Sequence, residues 1–228
     1  IINKSNIMGF YRGPNIVTDG LVFAVDAGSE RSYPGSGTTT TNIINGASGT
    51  LTNGVGYVSN NGGAFDFDGT DDFILFPNDT NLNLQTLTME SWCYPNTTSQ
   101  YGFLFEKGLV NTQYANFFEN NAFVFRTMGL SASSLNIASS LFSANSWNHI
   151  VCTYTSGTKR IYLNGIQVGV ATGLTGTIST NANGPRIGAH SSGYYLDGEI
   201  AASRVYNKAL TAAEVTQNFN AQKSRFGL

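Results

Sequence analysis

The chain has 228 residues, a formal net charge of −2 and only 11% charged residues, so it carries no basic footprint for nucleic acid or an anionic membrane. That length suits one large sandwich domain with a sizeable core, and the apolar runs, a few residues each, are too short to span a bilayer. Cys93 and Cys152 are too few for a disulfide scaffold; they read as buried free thiols, with a bridge open only if their strands are neighbours.

The start, Ile1-Ile2-Asn3-Lys4-Ser5-Asn6, lacks the basic-then-apolar pattern of a signal peptide and begins with Ile, so a trimmed N-terminus is expected. Residues 1–18 show no period and include Gly9, Gly13 and Pro14, which predicts an arm or linker ahead of a domain over 19–228. The arm is richer in apolar residues than solvated segments are. Ile2, Ile7, Phe10 and Tyr11 are therefore expected to anchor it on a partner, where buried apolar area offsets the ordering entropy. Packing as an extra strand on its own domain is the rival.

From Leu21-Val22-Phe23-Ala24-Val25 onward, short strands recur between Gly, Asn, Ser and Thr turns. Residues 28–62 predict a long excursion with few regular elements. Ala64 to Asp68, Gly69-Thr70, then Asp71 to Phe76 read as strand, turn, strand. Leu87 to Tyr94 alternates, with Leu87, Met89, Ser91 and Cys93 on one face and Glu90, Trp92 and Tyr94 on the other. Phe103 to Glu106 is a further strand. Phe117 to Glu119 turns at Asn120-Asn121 into Phe123 to Phe125.

Trp147 to Tyr154, Lys159 to Leu163 and Ile166 to Gly169 form three strands, closed by Ser156-Gly157 and Asn164-Gly165, the latter the strongest short hairpin signal. Pro185 to Ile187 and Glu199 to Tyr206 complete the set. Only the end is helical: Thr211-Ala212-Ala213-Glu214 has capping-box spacing, and Ala213, Val215 and Phe219 are expected to face the sandwich.

Trp147-Asn148-His149-Ile150 leading into Tyr162-Leu163-Asn164-Gly165 resembles the laminin-G-like, concanavalin A-like family. Gly63 to Ile74, Leu87 to Trp92, and Asp197 to Ile200 with Arg204 to Glu214 are similar to the early strand pair, the central strand, and the closing strand and helix of that family. The resemblance implies an all-β jelly-roll sandwich of two antiparallel sheets with one short C-terminal helix, used far more often to bind than to catalyse. Residues 13–22, Ser32 to Thr38 and Asn218 to Leu228 are similar to laminin-G-like domains of tailed-phage structural proteins. That likeness implies a virion surface component, on head or tail. Many relatives carry acidic residues after the Gly-x-Ile of the closing strand, where they help hold calcium. Ala201 and Ala202 stand there instead and offer no oxygen, so no cofactor is expected, with a structural calcium the disfavoured alternative.

Glycosidases on this sandwich place carboxylates on one strand, commonly as Glu-x-Asp-x-x-Glu, and that pattern occurs nowhere in the chain. Asp66, Asp68, Asp71 and Asp72 resemble a metal loop at first, but an EF-hand counted from Asp66 needs glycine where Asp71 stands and glutamate where Pro77 stands. Asp66 and Asp68 are instead expected on the solvent face of a strand whose Phe65 and Phe67 point inward. His149 lies in the hallmark strand and reads as structural. His190 has no second histidine or cysteine nearby to make a ligand set. Tyr101, Tyr114, Tyr194 and Tyr195 fall in turn-rich segments and fit either a sugar platform or a subunit contact. The expectation is therefore a non-enzymatic virion surface protein of a tailed bacteriophage, a capsid decoration or cement protein or a tail or fibre component. Capsid or tail subunits are its expected partners, and cell-surface or environmental glycans are a further partner if those tyrosines form a sugar platform rather than a subunit contact. The alternative is a carbohydrate-binding module or adhesin domain outside any virion.

Overall fold

The computed structural model describes residues 15–108 and 113–228. In the first half of the chain the strands are β1 (Leu21–Asp26), β2 (Thr39–Thr41), β3 (Ser48–Thr52), β4 (Gly56–Val58), β5 (Ala64–Asp68), β6 (Phe73–Leu75), β7 (Leu87–Pro95) and β8 (Gly102–Lys107). Then come β9 (Tyr114–Glu119), β10 (Ala122–Thr127), β11 (Ser134–Ala138), β12 (Asn148–Thr155), β13 (Thr158–Leu163) and β14 (Ile166–Ala171). β15 (Pro185–Ile187), β16 (Ala189–His190), β17 (Tyr194–Tyr195), β18 (Asp197–Tyr206) and the helix α1 (Ala212–Gln222) finish the chain.

Two eight-stranded antiparallel sheets face one another. The first runs β14-β13-β12-β7-β18-β5-β4 with β1 added beside β18, and the second runs β11-β10-β9-β8-β15-β6-β3-β2. This is the expected jelly-roll sandwich with one C-terminal helix. The inward residues of both sheets, among them Phe23, Phe65, Phe67, Met89, Phe105, Phe118, Ile150 and Ile187, make the main core. The hairpin turns form where the sequence marks them. Ser156 and Gly157, Asn164 and Gly165, and Asn120 and Asn121 all have positive φ, the primed-turn geometry that matches strand twist.

Three features depart from the sequence pattern. The excursion over 28–62 contains β2, β3 and β4, short strands at or next to the sheet edges whose Thr and Gly residues leave little apolar alternation to read. β5 and β6, close in sequence, belong to opposite sheets, so the turn at residues 69–72 crosses the sandwich edge. Both faces of β7 are buried. Leu87, Met89 and Cys93 enter the main core, while Glu90 and Trp92 lie under α1 and the turn after it. On that helix Val215 and Asn218 are buried and Phe219 packs partly on Trp92, whereas Ala213 points to solvent against expectation. The inward face is set by the 215, 218, 219 spacing, and Ala213 falls outside that stripe. Thr211 and Glu214 form the expected capping box.

β7 and β12 are neighbours, yet Cys93 pairs with Asn148 while Cys152 pairs with Met89. Four residues of strand, about 13 Å, separate the two thiols along the ladder, too far to bridge. Both are free and buried, and burial pushes their pKa values up.

Candidate functional site

An aromatic ladder runs from the start of β8 onto the outer face of the second sheet. The rings of Tyr101 and Tyr194 stack at 4.4 Å, and Phe103 and Phe117 stack at 4.1 Å, with Tyr194 lying 6.5 Å from Phe103. Phe103 on β8 and Phe117 on β9 are opposite one another in register, which holds their rings face to face. The Arg126 guanidinium lies 4.6 Å over the Phe117 ring and 3.6 Å from Glu119. The β16–β17 hairpin lays Tyr194 and His190 across this row. His190 accepts the Ser192 amide at Nδ1, which leaves Nε2 to face the buried Glu106 at 3.3 Å. Burial, and then the positive charge of Arg126 and Arg186, lower the His190 pKa.

At the outer end of the ladder lies a cleft of about 350 Å³, lined by Gly69, Ser99, Gln100, Tyr101, Asn120, Gly193, Tyr194 and Tyr195. The Tyr101 hydroxyl donates to Glu119 Oε1 at 2.8 Å and accepts from Asn120 Nδ2 at 3.2 Å, so the ring is held by its polar end. Tyr194 is 40% exposed. Gly69 has φ of +74°, and a side chain there would press on Asp197, so glycine keeps this wall open. An apolar ring surface beside amide and hydroxyl groups is the chemistry that holds a sugar: C–H faces stack on the aromatic while hydroxyls exchange hydrogen bonds.

Of the four tyrosines expected at a surface, the fold brings Tyr101, Tyr194 and Tyr195 together and leaves out Tyr114. Tyr114 begins β9, is fully buried, donates to Leu82 O at 3.0 Å and packs 6.2 Å from Phe105. It is a core residue, because the turn-rich context suggesting a loop lies just before it and its own position points inward. Sequence reading missed Ser99, Gln100, Glu119 and Asn120. The Asn120-Asn121 turn signal was present, but a turn does not reveal which neighbouring loop its side chains meet. Ile2, Ile7, Phe10 and Tyr11 lie outside the described residues. Val17, within the expected arm, is buried on the domain: its amide donates to Asn218 Oδ1 at 2.7 Å, and its carbonyl accepts from the Tyr206 hydroxyl at 3.1 Å.

A second polar cluster is structural. The Glu90 carboxylate, buried under α1, receives Arg204 Nη1 at 2.8 Å, the Tyr206 hydroxyl at 3.2 Å and Asn218 Nδ2 at 2.6 Å, with His149 Nε2 at 3.2 Å. Burial alone would raise its pKa, but Arg204, His149 and Asn218 outweigh that and hold it at about 2. His149 also packs against Trp92, ring to ring at 4.8 Å and tilted by 35°, a role that matches its place in the hallmark strand. At the positions where relatives carry acids, Ala201 and Ala202 are buried in the Trp92 and Phe226 cluster. Nearby, Arg225 donates to both oxygens of Asp26 and to Asn61 O and Gly63 O, so a guanidinium fills an all-oxygen nest.

The sequence profile described as the concanavalin A-like lectin/glucanases superfamily matches residues 68–216. The chain belongs to that superfamily. No match is found among curated proteins. Among solved structures, members with this sandwich are similar at low identity. A Trypanosoma rangeli sialidase in complex with sialic acid is 15% identical with a TM-score of 0.67, covering 93% of this chain and 35% of the sialidase. The binding domain of Paraclostridial Mosquitocidal Protein 1 is 17% identical with a TM-score of 0.67, over 89% of this chain and 52% of that one. Domain 4 of AbnA, an arabinanase from Geobacillus stearothermophilus in complex with arabinotriose, is 15% identical with a TM-score of 0.63 and is covered over 98% of its length. The concanavalin A-like chain thus spans about a third of the sialidase but nearly all of the arabinanase domain. At these identities the likeness establishes the fold.

Proposed function

We propose that this domain binds carbohydrate in the cleft between Tyr101, Asn120 and Tyr194, without catalysis. The observation that carries the reading is the stacked Tyr101–Tyr194 pair, its hydroxyl end fixed by Glu119 and Asn120 beside an open cleft. The arabinotriose-bound neighbour of the same size and the sialic acid-bound sialidase lend support from the fold. For the absence of catalysis the support is chemical. Glu119, the acid at the ladder's end, is tied to Tyr101 and Arg126, and Glu90 is locked under the helix. Titration calorimetry against neutral oligosaccharides, arabinan fragments included, tests the reading. Wild-type protein should bind, and Tyr194→Ala should lose about tenfold or more in affinity, roughly 1.4 kcal/mol, without loss of melting temperature. No binding at millimolar sugar, or equal binding by Tyr194→Ala, overturns it, and release of reducing ends overturns the non-catalytic part.

The same proposal extends to context. The domain is read as a surface component of a tailed-phage virion, decorating the capsid or forming part of the tail, and attached through the segment ahead of Asn15. What supports this is the phage-like residues at 13–22, 32–38 and 218–228. Mass spectrometry of purified particles should find the chain, and its absence from them overturns the assignment. A free-standing module is the second reading, favoured by the arabinanase domain, which matches over 98% of its own length.

A further inference from the structure

The tyrosine cleft has a charged neighbour. The register of β5 on β18 sets Asp197 opposite Asp68 and Glu199 opposite Asp66, two like-charge cross-strand pairs that cost stability. Among the described residues none of these four acids is in a salt bridge. Burial raises the Asp66 pKa, and the charges of Asp197 and Asp68 add to it, so the field of this corner is felt within it. Asp197 ties the corner to the cleft. Its Oδ1 accepts Asn96 Nδ2 at 2.7 Å, at the start of the loop that carries Ser99 and Gln100. A Cβ added at Gly69, on the cleft wall, would lie 3.6 Å from the Asp197 Cγ. Asp68, exposed, directly precedes Gly69, and Asp197 follows the lining residue Tyr195 by two positions.

At the Tyr101 end the charge is already balanced, because Glu119 accepts the Tyr101 hydroxyl and faces Arg126 at 3.6 Å. No lysine, arginine or histidine lines the cleft among the described residues. A sugar stacked on Tyr194 therefore meets carboxylates without an ion-pair partner at the Gly69 wall, and no cation. We infer that the cleft selects glycans built from amino sugars and rejects those that carry a carboxylate. A protonated amine is a compact charge with three N–H donors. It relieves the repulsion between Asp68 and Asp197, whereas a uronate adds a further negative charge to it. Neutral hydroxyls gain neither term, so a neutral glycan ranks between the two. The inference rests on the sugar reading of this cleft and adds a charge preference to it.

The test is titration calorimetry of the full chain with three tetramers, of glucosamine, of glucose and of galacturonic acid, at about pH 6, where a sugar amine is protonated. Chelator in the buffer keeps stray metal ions from screening the corner. At about 10 mM salt, where charges act over about 30 Å, the glucosamine tetramer should bind about three- to tenfold more tightly than the glucose tetramer, and the galacturonate tetramer weaker by a similar factor. At about 1 M salt, where the range falls to about 3 Å, the three should converge. The double variant Asp68→Asn/Asp197→Asn keeps an acceptor oxygen for Thr70 and Asn96, so it should melt no lower than wild type. Its preference for glucosamine should nonetheless drop to about twofold or less. Each preference is a ratio of two affinities on one protein, so a partial loss of fold does not imitate the result. Tyr194→Ala should weaken all three tetramers, since the amine is read only by a sugar held in the cleft. Equal affinity for glucosamine and glucose, tighter binding of galacturonate, or an unchanged preference in the double variant overturns the inference and leaves the sugar reading standing. Full glucosamine affinity in Tyr194→Ala places the amine outside the cleft and overturns it too, and no binding of any sugar removes both.

Discussion

Replacing Glu90 by Gln removes one charge from the network under α1 and keeps the shape. Arg204, 4% exposed at its side chain, would then face an amide, with Asp26 at 3.4 Å and Gln222 as its remaining partners. Breaking one partner out of a buried charge pair costs about 3–5 kcal/mol. The acid itself gives a similar figure. A pKa held at about 2 against 4.5 corresponds to ~3 kcal/mol of preferential stabilisation of the carboxylate. For a chain of this size that is a fall of roughly 7–14 °C in melting temperature at pH 7.

The pH dependence follows in sign. Between pH 4.5 and about 2 the unfolded chain holds a proton on Glu90 that the folded chain does not, so wild-type stability drains as pH falls through that window. Asp66, Asp72 and Glu199, raised by burial, act in the opposite direction but are common to both proteins and cancel in the comparison. Urea unfolding at pH 7, 4, 3 and 2 should therefore show Glu90→Gln much less stable than wild type at pH 7 and converging with it near pH 2. A variant within about 1 kcal/mol of wild type at pH 7, or with the same pH slope, would show that the carboxylate does not hold the helix.

Tyr114→Ala should destabilise by about 3–5 kcal/mol through lost core volume, read as a drop in urea midpoint, while Tyr114→Phe, which gives up only the bond to Leu82 O, should cost about 1 kcal/mol. Neither needs to alter sugar affinity in protein that remains folded. Cys93 and Cys152, buried and with thiol pKa values pushed up, should resist a thiol reagent in the native state and both react in guanidinium; a fast native reaction would mean that the sheets open locally.

Local chemistry written in the chain fixes much of this protein. The Ser156-Gly157 and Asn164-Gly165 turns, the capping box at Thr211, and the alternation of Leu87 to Tyr94 each rest on interactions within a few residues, and each is readable without the fold. Phe65 and Phe67 could be put inside and Asp68 outside by period alone. Tertiary structure decided what depends on contacts between distant segments. Tyr101 and Tyr194 are 93 residues apart, and only the β16–β17 hairpin folding back onto β8 stacks them, while Tyr114 is drawn into the core by the register of β9. The opposition of Asp68 and Asp197 likewise exists only once β18 pairs with β5. A periodic pattern says which face a residue takes, but register and sheet order, set by long-range hydrogen bonding and core closure, say what stands across from it.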